Sequence, residues 1–283
     1  MLLSSNSGLF SGRGALPRYT MPEAVEFFHS VGFEAFDINF SATIYNPPKK
    51  VREFILDGDW ERNVDAVGKK CRDYGIKINT SHLPFFKYAG IGAVSADEYE
   101  YNQKFVYTSL DAAIRLGVKW TVVHMNPDVH AAYDYICPLC EYSTPHGLGI
   151  AVENVPSASL DALNEVVDRL TAEGYLIGIC YDTGHANVAG LDQYKAIQAL
   201  GGRIKMLHVH DNFGKDQHIP PFCGNINWNA VMQALANVGY DGDLNFEVNA
   251  TNVPEASRKE HAAYLVSVGR HLIDLYNKSK DEH

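Results

Sequence analysis

Three stretches decide the fold: Ile150–Val155 (IAVENV), Leu176–Tyr181 (LIGICY) with Asp182 directly after it, and Ile204–His210 (IKMLHVH). Each is an apolar run of strand length that ends in an acidic residue or a histidine. Between them, Leu160–Thr171 and Asp192–Leu200 place apolar residues at helical spacing. Continuously apolar strands alternating with helices make a parallel sheet covered by helices, because each strand is buried on both faces.

The same alternation extends in both directions. Upstream, Leu2–Ser7, Ala35–Phe40, Lys77–Leu83 and Trp120–Met125 read as strands, and Pro22–Gly32, Trp60–Gly75 and Glu98–Gly117 as helices. Downstream come a helix over Trp228–Gly239, a strand over Asp243–Val248 and a closing helix over Glu255–Tyr276. Asn126–Gly149 carries no clear period, and this fourth helical slot and the first strand are the weakest members of the series. Eight strand–helix units favour an α/β fold of the (β/α)₈ TIM-barrel type over a doubly wound sheet. A single barrel domain over residues 1–283 is expected, since such barrels run to about 250 residues.

Composition narrows the function. The formal charge of −10 argues against a protein whose main task is gripping phosphate backbones. No apolar run reaches the roughly 18 residues of a membrane span, and the first ten residues lack the basic and apolar regions of a signal peptide. Five scattered cysteines suggest reduced thiols and a cytoplasmic location. The lone C-P-L-C of Cys137 and Cys140, with no second such pair, reads as two ordinary thiols.

In such a barrel the reacting groups stand at the carboxyl ends of the strands. Strand three ends in His82, strand four in His124, and strand five in Glu153 and Asn154. Strand six delivers Asp182 with His185 beyond it, strand seven His208, His210 and Asp211, and strand eight Glu247. Any one of these alone reads as a hydrogen-bonded or surface residue. Together they place several carboxylates in one mouth, where mutual repulsion would raise their pKa values unless a cation neutralised them. Imidazole with carboxylate suits Mn²⁺, Zn²⁺ or Co²⁺, and the set also admits Mg²⁺. His210, two residues from His208, should face the same way along a regular strand.

The motifs A-V-E-N-V-P (Glu153), Y-D-T-G-H-A (Asp182, His185), M-L-H-V-H-D-N (His208, Asp211) and F-E-V (Glu247) resemble those of the xylose-isomerase-like TIM barrels. That group includes sugar isomerases and epimerases, inosose dehydratases and the endonuclease IV group. The resemblance implies one divalent metal held by Glu153, Asp182, His208 and Glu247. It also implies that Glu153 and Glu247 exchange protons at the carbon beside a carbonyl, with His185 touching a substrate oxygen. The expected activity is isomerisation or epimerisation of a sugar or polyol, with dehydration as a variant. Asn154 and Trp228 are expected substrate contacts. Phe85, Phe86, Tyr88 and Phe222 are further candidates for stacking on a sugar.

Three departures bear on the substrate. Ketose epimerases of the group carry a glutamate six residues past the Glu153 position and an arginine six past the His208 position. Ser159 and Gly214 stand there in this chain. The loop G-x-G-x-I-D-W becomes F-C-G-N-I-N-W, with Phe222 at the first glycine. These changes point away from a free-ketose 3-epimerase.

Two alternatives remain. The nine zinc ligands of endonuclease IV can all be matched, by His82, His124, Glu153, Asp182, His185, His208, Asp216, His218 and Glu247. That match admits up to three metals and phosphodiester hydrolysis. Against it, no basic and aromatic patch suited to a nucleic-acid backbone stands out. The other alternative is a non-catalytic sugar-binding barrel. The expected partner is a small sugar or polyol rather than nucleic acid or a membrane, with a homo-oligomer left open.

Overall fold

The computed structural model describes residues 1–9, 21–40, 59–84, 96–250 and 253–281. Among them are eight strands: β1 (Leu3–Asn6), β2 (Ala35–Asn39), β3 (Lys77–His82), β4 (Trp120–His124), β5 (Gly149–Glu153), β6 (Ile177–Asp182), β7 (Ile204–His208) and β8 (Leu244–Phe246). The helices are α1 (Met21–Val31), α2 (Trp60–Tyr74), α3 (Ala96–Leu116), α4 (Val129–Ser143), α5 (Leu160–Ala172), α6 (Thr183–Val188), α7 (Gln193–Leu200), α8 (Trp228–Asn237) and α9 (Arg258–Asp281). The strands are all parallel in the order β7-β6-β5-β4-β3-β2-β1-β8. The ring closes between β7 and β8, where Val209 N donates to Asn245 O (2.9 Å) and Glu247 N to Val209 O (3.1 Å). The architecture is a (β/α)₈ barrel.

Alternation along each strand sets the two faces. Outward-pointing Leu3, Phe36, Ile150, Ile179, Leu244 and Phe246 pack under the helices in the main core. Full burial of each such side chain contributes about 1.5–3 kcal/mol. The inward faces differ across the barrel. On β4–β7, Val122, Ala151, Cys180 and Met206 form a small apolar plug with Trp120 beneath it. A Cβ at Gly149 would overlap the Trp120 ring, so glycine makes room for that indole. On the opposite wall, Asn6, Asp37, Thr80 and Asn245 are buried polar residues.

The stretch without a clear period, Asn126–Gly149, holds a full helix. Asp128 caps α4 by accepting Ala131 N at 2.8 Å. Its buried residues Ala132, Ile136, Leu139, Cys140 and Ser143 do recur at helical spacing. Ala132, Cys140 and Ser143 share that buried face with Ile136 and Leu139, and Pro138 lies inside the helix, which is why the pattern is faint. The short helix α6, directly after β6, was not expected from the sequence. Phe85, Phe86 and Tyr88 lie outside the described residues. Among the described residues no helix is long and apolar enough to cross a membrane.

Candidate metal centre

The four expected ligands stand at adjoining strand ends. Glu153 ends β5, Asp182 ends β6, His208 ends β7, and Glu247 follows β8. One donor atom from each lies within 4.8 Å of all the others. His208 Nδ1 sits 3.4 Å from Glu153 Oε2, 3.3 Å from Glu247 Oε2 and 3.9 Å from Asp182 Oδ2. Glu153, Asp182 and His208 are buried, and Glu247 is partly open to solvent.

Further donors border this inner set. His82 Nε2 and His124 Nε2 face each other at 3.0 Å, and they lie 3.5 and 3.3 Å from Glu153 Oε2. His82 Nδ1 donates to the Leu83 carbonyl at 2.7 Å, which directs Nε2 toward the cluster. His185 Nδ1 is 3.0 Å from Glu153 Oε1 and 3.0 Å from the Asn154 carbonyl. His218 Nε2 is 2.9 Å from Asp216 Oδ1, while its Nδ1 donates to the Glu247 carbonyl at 2.7 Å. His218 adopts φ +49°, a left-handed conformation that costs a non-glycine residue energy and is held here by that bond and by Asn249 N donating to its carbonyl. Five overlapping donor groups result among the described residues: Glu153–Asp182–His208–Glu247, His82–His124–Glu153, His82–His208–Glu247, His185–Asp216–His218 and His210–His218–Glu247.

Histidines and carboxylates in the cluster shift one another's pKa values. Burial would push the Glu153 carboxyl up, but His124, His208 and His185 hold it well below the usual range. Asp182 is likewise lowered against its burial by His185 and His210. His185 is raised to about 11 and His218 to about 9, because nearby carboxylates outweigh the cost of burial. His208 is also raised against its burial, by Cys180, Glu247 and Glu153, whereas burial takes His124 down to about 4. A divalent ion would replace the protons on the raised histidines as the counter-charge.

The unpartnered atoms fit such an ion. Glu153 Oε2 and both ring nitrogens of His208 are buried without a hydrogen-bond partner. Orphaned buried donors and acceptors are costly, and these are the nitrogen and oxygen types that Zn²⁺, Mn²⁺ or Co²⁺ prefers.

Other expected site residues brace the site. Asn154 binds Asp182 twice, Oδ1 accepting its N–H (2.7 Å) and Nδ2 donating to its carbonyl (3.0 Å), so it clamps β5 to β6. His210, two residues past His208 at the end of β7, reaches the same cluster and is a candidate donor beside His218 and Glu247. Its Nε2 lies 3.0 Å from Asp182 Oδ1, and its ring stacks on His218 with centroids 3.9 Å apart. Asp211 stands outside the donor groups. Its Oδ1 accepts Asn212 N and Ile226 N, and its Oδ2 accepts Phe222 N and Trp228 Nε1 (2.9 Å). Trp228, expected at the substrate, is buried and ties this loop together through its Nε1 bond to Asp211. Phe222 takes φ +68°, a conformation that explains why glycine suits this position in related loops.

The departures from the epimerase pattern have local roles. Ser159 caps α5, its Oγ accepting Ala162 N at 3.1 Å. Gly214 adopts φ +77° in the β7–α8 loop. Sequence reasoning overlooked Asn6, Asp37 and Asn245 beneath the site. The available signal was a polar residue at inward positions of otherwise apolar strands.

Comparison with known proteins agrees with this architecture. The family model described as xylose isomerase-like TIM barrel matches residues 25–268, and the chain belongs to that family. The uncharacterized protein y4fM of Sinorhizobium fredii is 36% identical over 101 residues, a match spanning 35% of this chain and only 32% of that protein. The uncharacterized protein MJ1311 of Methanocaldococcus jannaschii is 26% identical over 238 residues, covering 76% of this chain and 74% of its own. Among solved structures, a D-tagatose 3-epimerase-like protein superposes with a TM-score of 0.75 at 20% identity, covering 98% of this chain and 99% of that one.

Proposed function

We propose that this protein is a divalent-metal-dependent isomerase or epimerase of a sugar or polyol. The observation that carries the reading is the convergence of donors from Glu153, Asp182, His208 and the partly open Glu247, with both His208 ring nitrogens and Glu153 Oε2 buried without a hydrogen bond. A bound divalent ion supplies Lewis-acid polarisation of a carbonyl and neutralises developing negative charge. Asp182 and His208, both deeply buried, would hold it. Glu153 and Glu247 come from β5 and β8, with β6 and β7 between them. A carboxylate on each side of a substrate can take a proton from one face and return one to the other. Glu247, the more open of the two, is the first candidate to receive a proton from carbon. His185 borders the same space and would donate a hydrogen bond to a substrate oxygen. The epimerase-like name of the superposing structure is consistent with this chemistry.

The test is turnover of ketoses, keto-inositols and sugar acids with Mn²⁺, Co²⁺, Zn²⁺ or Mg²⁺, followed by deuterium exchange from solvent at the carbon beside the carbonyl. Glu247→Gln and Glu153→Gln should each abolish exchange. Full activity in either variant would refute the assignment.

One observation favours a second reading, a multi-zinc phosphodiester hydrolase of the endonuclease IV type. Glu153 is shared between two donor groups, and His185, Asp216 and His218 form another beside them. Metal content separates the readings: one ion per chain supports the isomerase or epimerase, while three zinc ions with nicking of abasic duplex DNA supports the hydrolase.

A further inference from the structure

One layer below the metal centre, on the inward faces of β1, β2 and β8, lies a buried polar chain that the proposed chemistry does not use. Asn6 and Asp37 are register partners on adjacent strands. Asn6 Nδ2 donates to Asp37 Oδ2 at 3.3 Å and to Glu247 Oε1 at 3.5 Å, so one amide nitrogen bridges two carboxyl groups. Asn245 Nδ2 donates to the same Asp37 Oδ2 at 3.1 Å. Asn6, Asp37 and Asn245 are all buried.

The arrangement has a directional logic. An ionised carboxylate, or the carbonyl oxygen of a neutral carboxyl, can only accept from an amide, so Asp37 Oδ2 in that role turns the nitrogen end of Asn6, not its oxygen, toward Glu247. With Oε1 engaged from below, Glu247 Oε2 is the oxygen left facing the donor group, 3.3 Å from His208 Nδ1. Groups that orient a ligand in this way commonly change metal affinity or activity by about 10–100-fold when removed.

We propose that Asp37 is a positioning residue that, acting through Asn6, fixes which oxygen of Glu247 is presented to the metal. Burial raises the Asp37 carboxyl pKa, yet Oδ2 can accept from both amides whether or not the group is ionised. An asparagine at position 37 would keep a carbonyl oxygen for the same two donors, whereas leucine, of similar size, would keep none. The inference rests on the metal-centre reading above, and the experiment separates the two.

Co²⁺ affinity and the Co²⁺ visible spectrum are measured by titration for wild type, Asp37→Asn, Asp37→Leu, Asn6→Ala and Asp37→Leu/Asn6→Ala. The folded fraction of each is checked by circular dichroism. Asp37→Leu and Asn6→Ala should each weaken Co²⁺ binding by about tenfold or more and alter the spectrum. Asp37→Asn should stay near wild type. Because Asp37 acts through Asn6, the double variant should be no weaker than Asn6→Ala alone. Additive losses, or equal binding by wild type and a folded Asn6→Ala, would overturn the positioning role while leaving the metal centre intact. No Co²⁺ binding by wild type would overturn the centre and this inference with it.

Discussion

Asp182 caps a helix and is a proposed metal ligand, and substitution can divide the two roles. Its Oδ1 accepts His185 N at 2.7 Å as the N-cap of α6, and its Oδ2 lies 3.9 Å from His208 Nδ1. Asparagine caps helices about as well as aspartate, so Asp182→Asn should preserve the cap while removing the charge. Loss of a direct ligand should weaken metal binding by at least the roughly 100-fold seen for the strongest outer-shell changes. At a metal concentration about 100 times the wild-type dissociation constant, binding stabilises wild type by about 2.7 kcal/mol and such a variant by about 0.4 kcal/mol. For 283 residues the unfolding entropy is about 0.6 kcal/mol/K, so the difference amounts to about 4 °C in melting temperature. The assay is thermal unfolding with chelator and with metal. Wild type should rise by about 4–5 °C on adding metal and Asp182→Asn by less than about 1 °C. In chelator, Asp182→Ala should be less stable than Asp182→Asn by about 0.5–2 kcal/mol, the worth of the cap. An equal metal-induced rise in wild type and Asp182→Asn would refute the reasoning.

Further outcomes follow from neighbouring geometry. A Cβ at Gly184 would overlap the His210 ring. Gly184→Ala should therefore cost about 1–3 kcal/mol by urea unfolding. It should also weaken metal binding through displacement of His210 from Asp182, and unchanged affinity would argue against that brace. Trp228→Phe removes the Nε1 donor to Asp211 and should cost about 1 kcal/mol without changing KM, whereas a large KM effect would restore Trp228 as a substrate contact. pH acts oppositely on the metal-free and metal-bound proteins. His218 is raised from 6.5 to about 9, so its protonated form contributes stability fully below about pH 6.5, lost as pH rises through 9. The melting temperature in chelator should fall over that window, while apparent metal affinity should rise as the competing protons leave. A flat profile in chelator, or affinity falling with pH, would contradict protonation of His218 in the metal-free cluster.

Much of this organisation is legible in the sequence because two periodic signals coincide. Continuous apolar strands such as Ile177–Asp182 announce a parallel sheet, and acidic residues or histidines at their ends announce its mouth. What the sequence conceals depends on where regularity stops. His210 follows His208 by alternation, but only the folded chain shows its ring against Asp182 and stacked on His218. Asp211 looks like a ligand by its place in H-V-H-D-N. Only in three dimensions do two backbone amides from the Phe222–Ile226 turn and the Trp228 indole converge on it. The helix α4 hides behind small residues and Pro138. Asn6 and Asp37 stand 31 positions apart and meet only through strand register.

The central claim is the four-donor metal centre, and anomalous X-ray diffraction from crystals of metal-loaded protein tests it most directly. An anomalous peak within coordination distance of Glu153, Asp182, His208 and Glu247 together is the expected result. A loaded crystal with no peak among these four side chains, or with its metal bound elsewhere on the barrel, would contradict it.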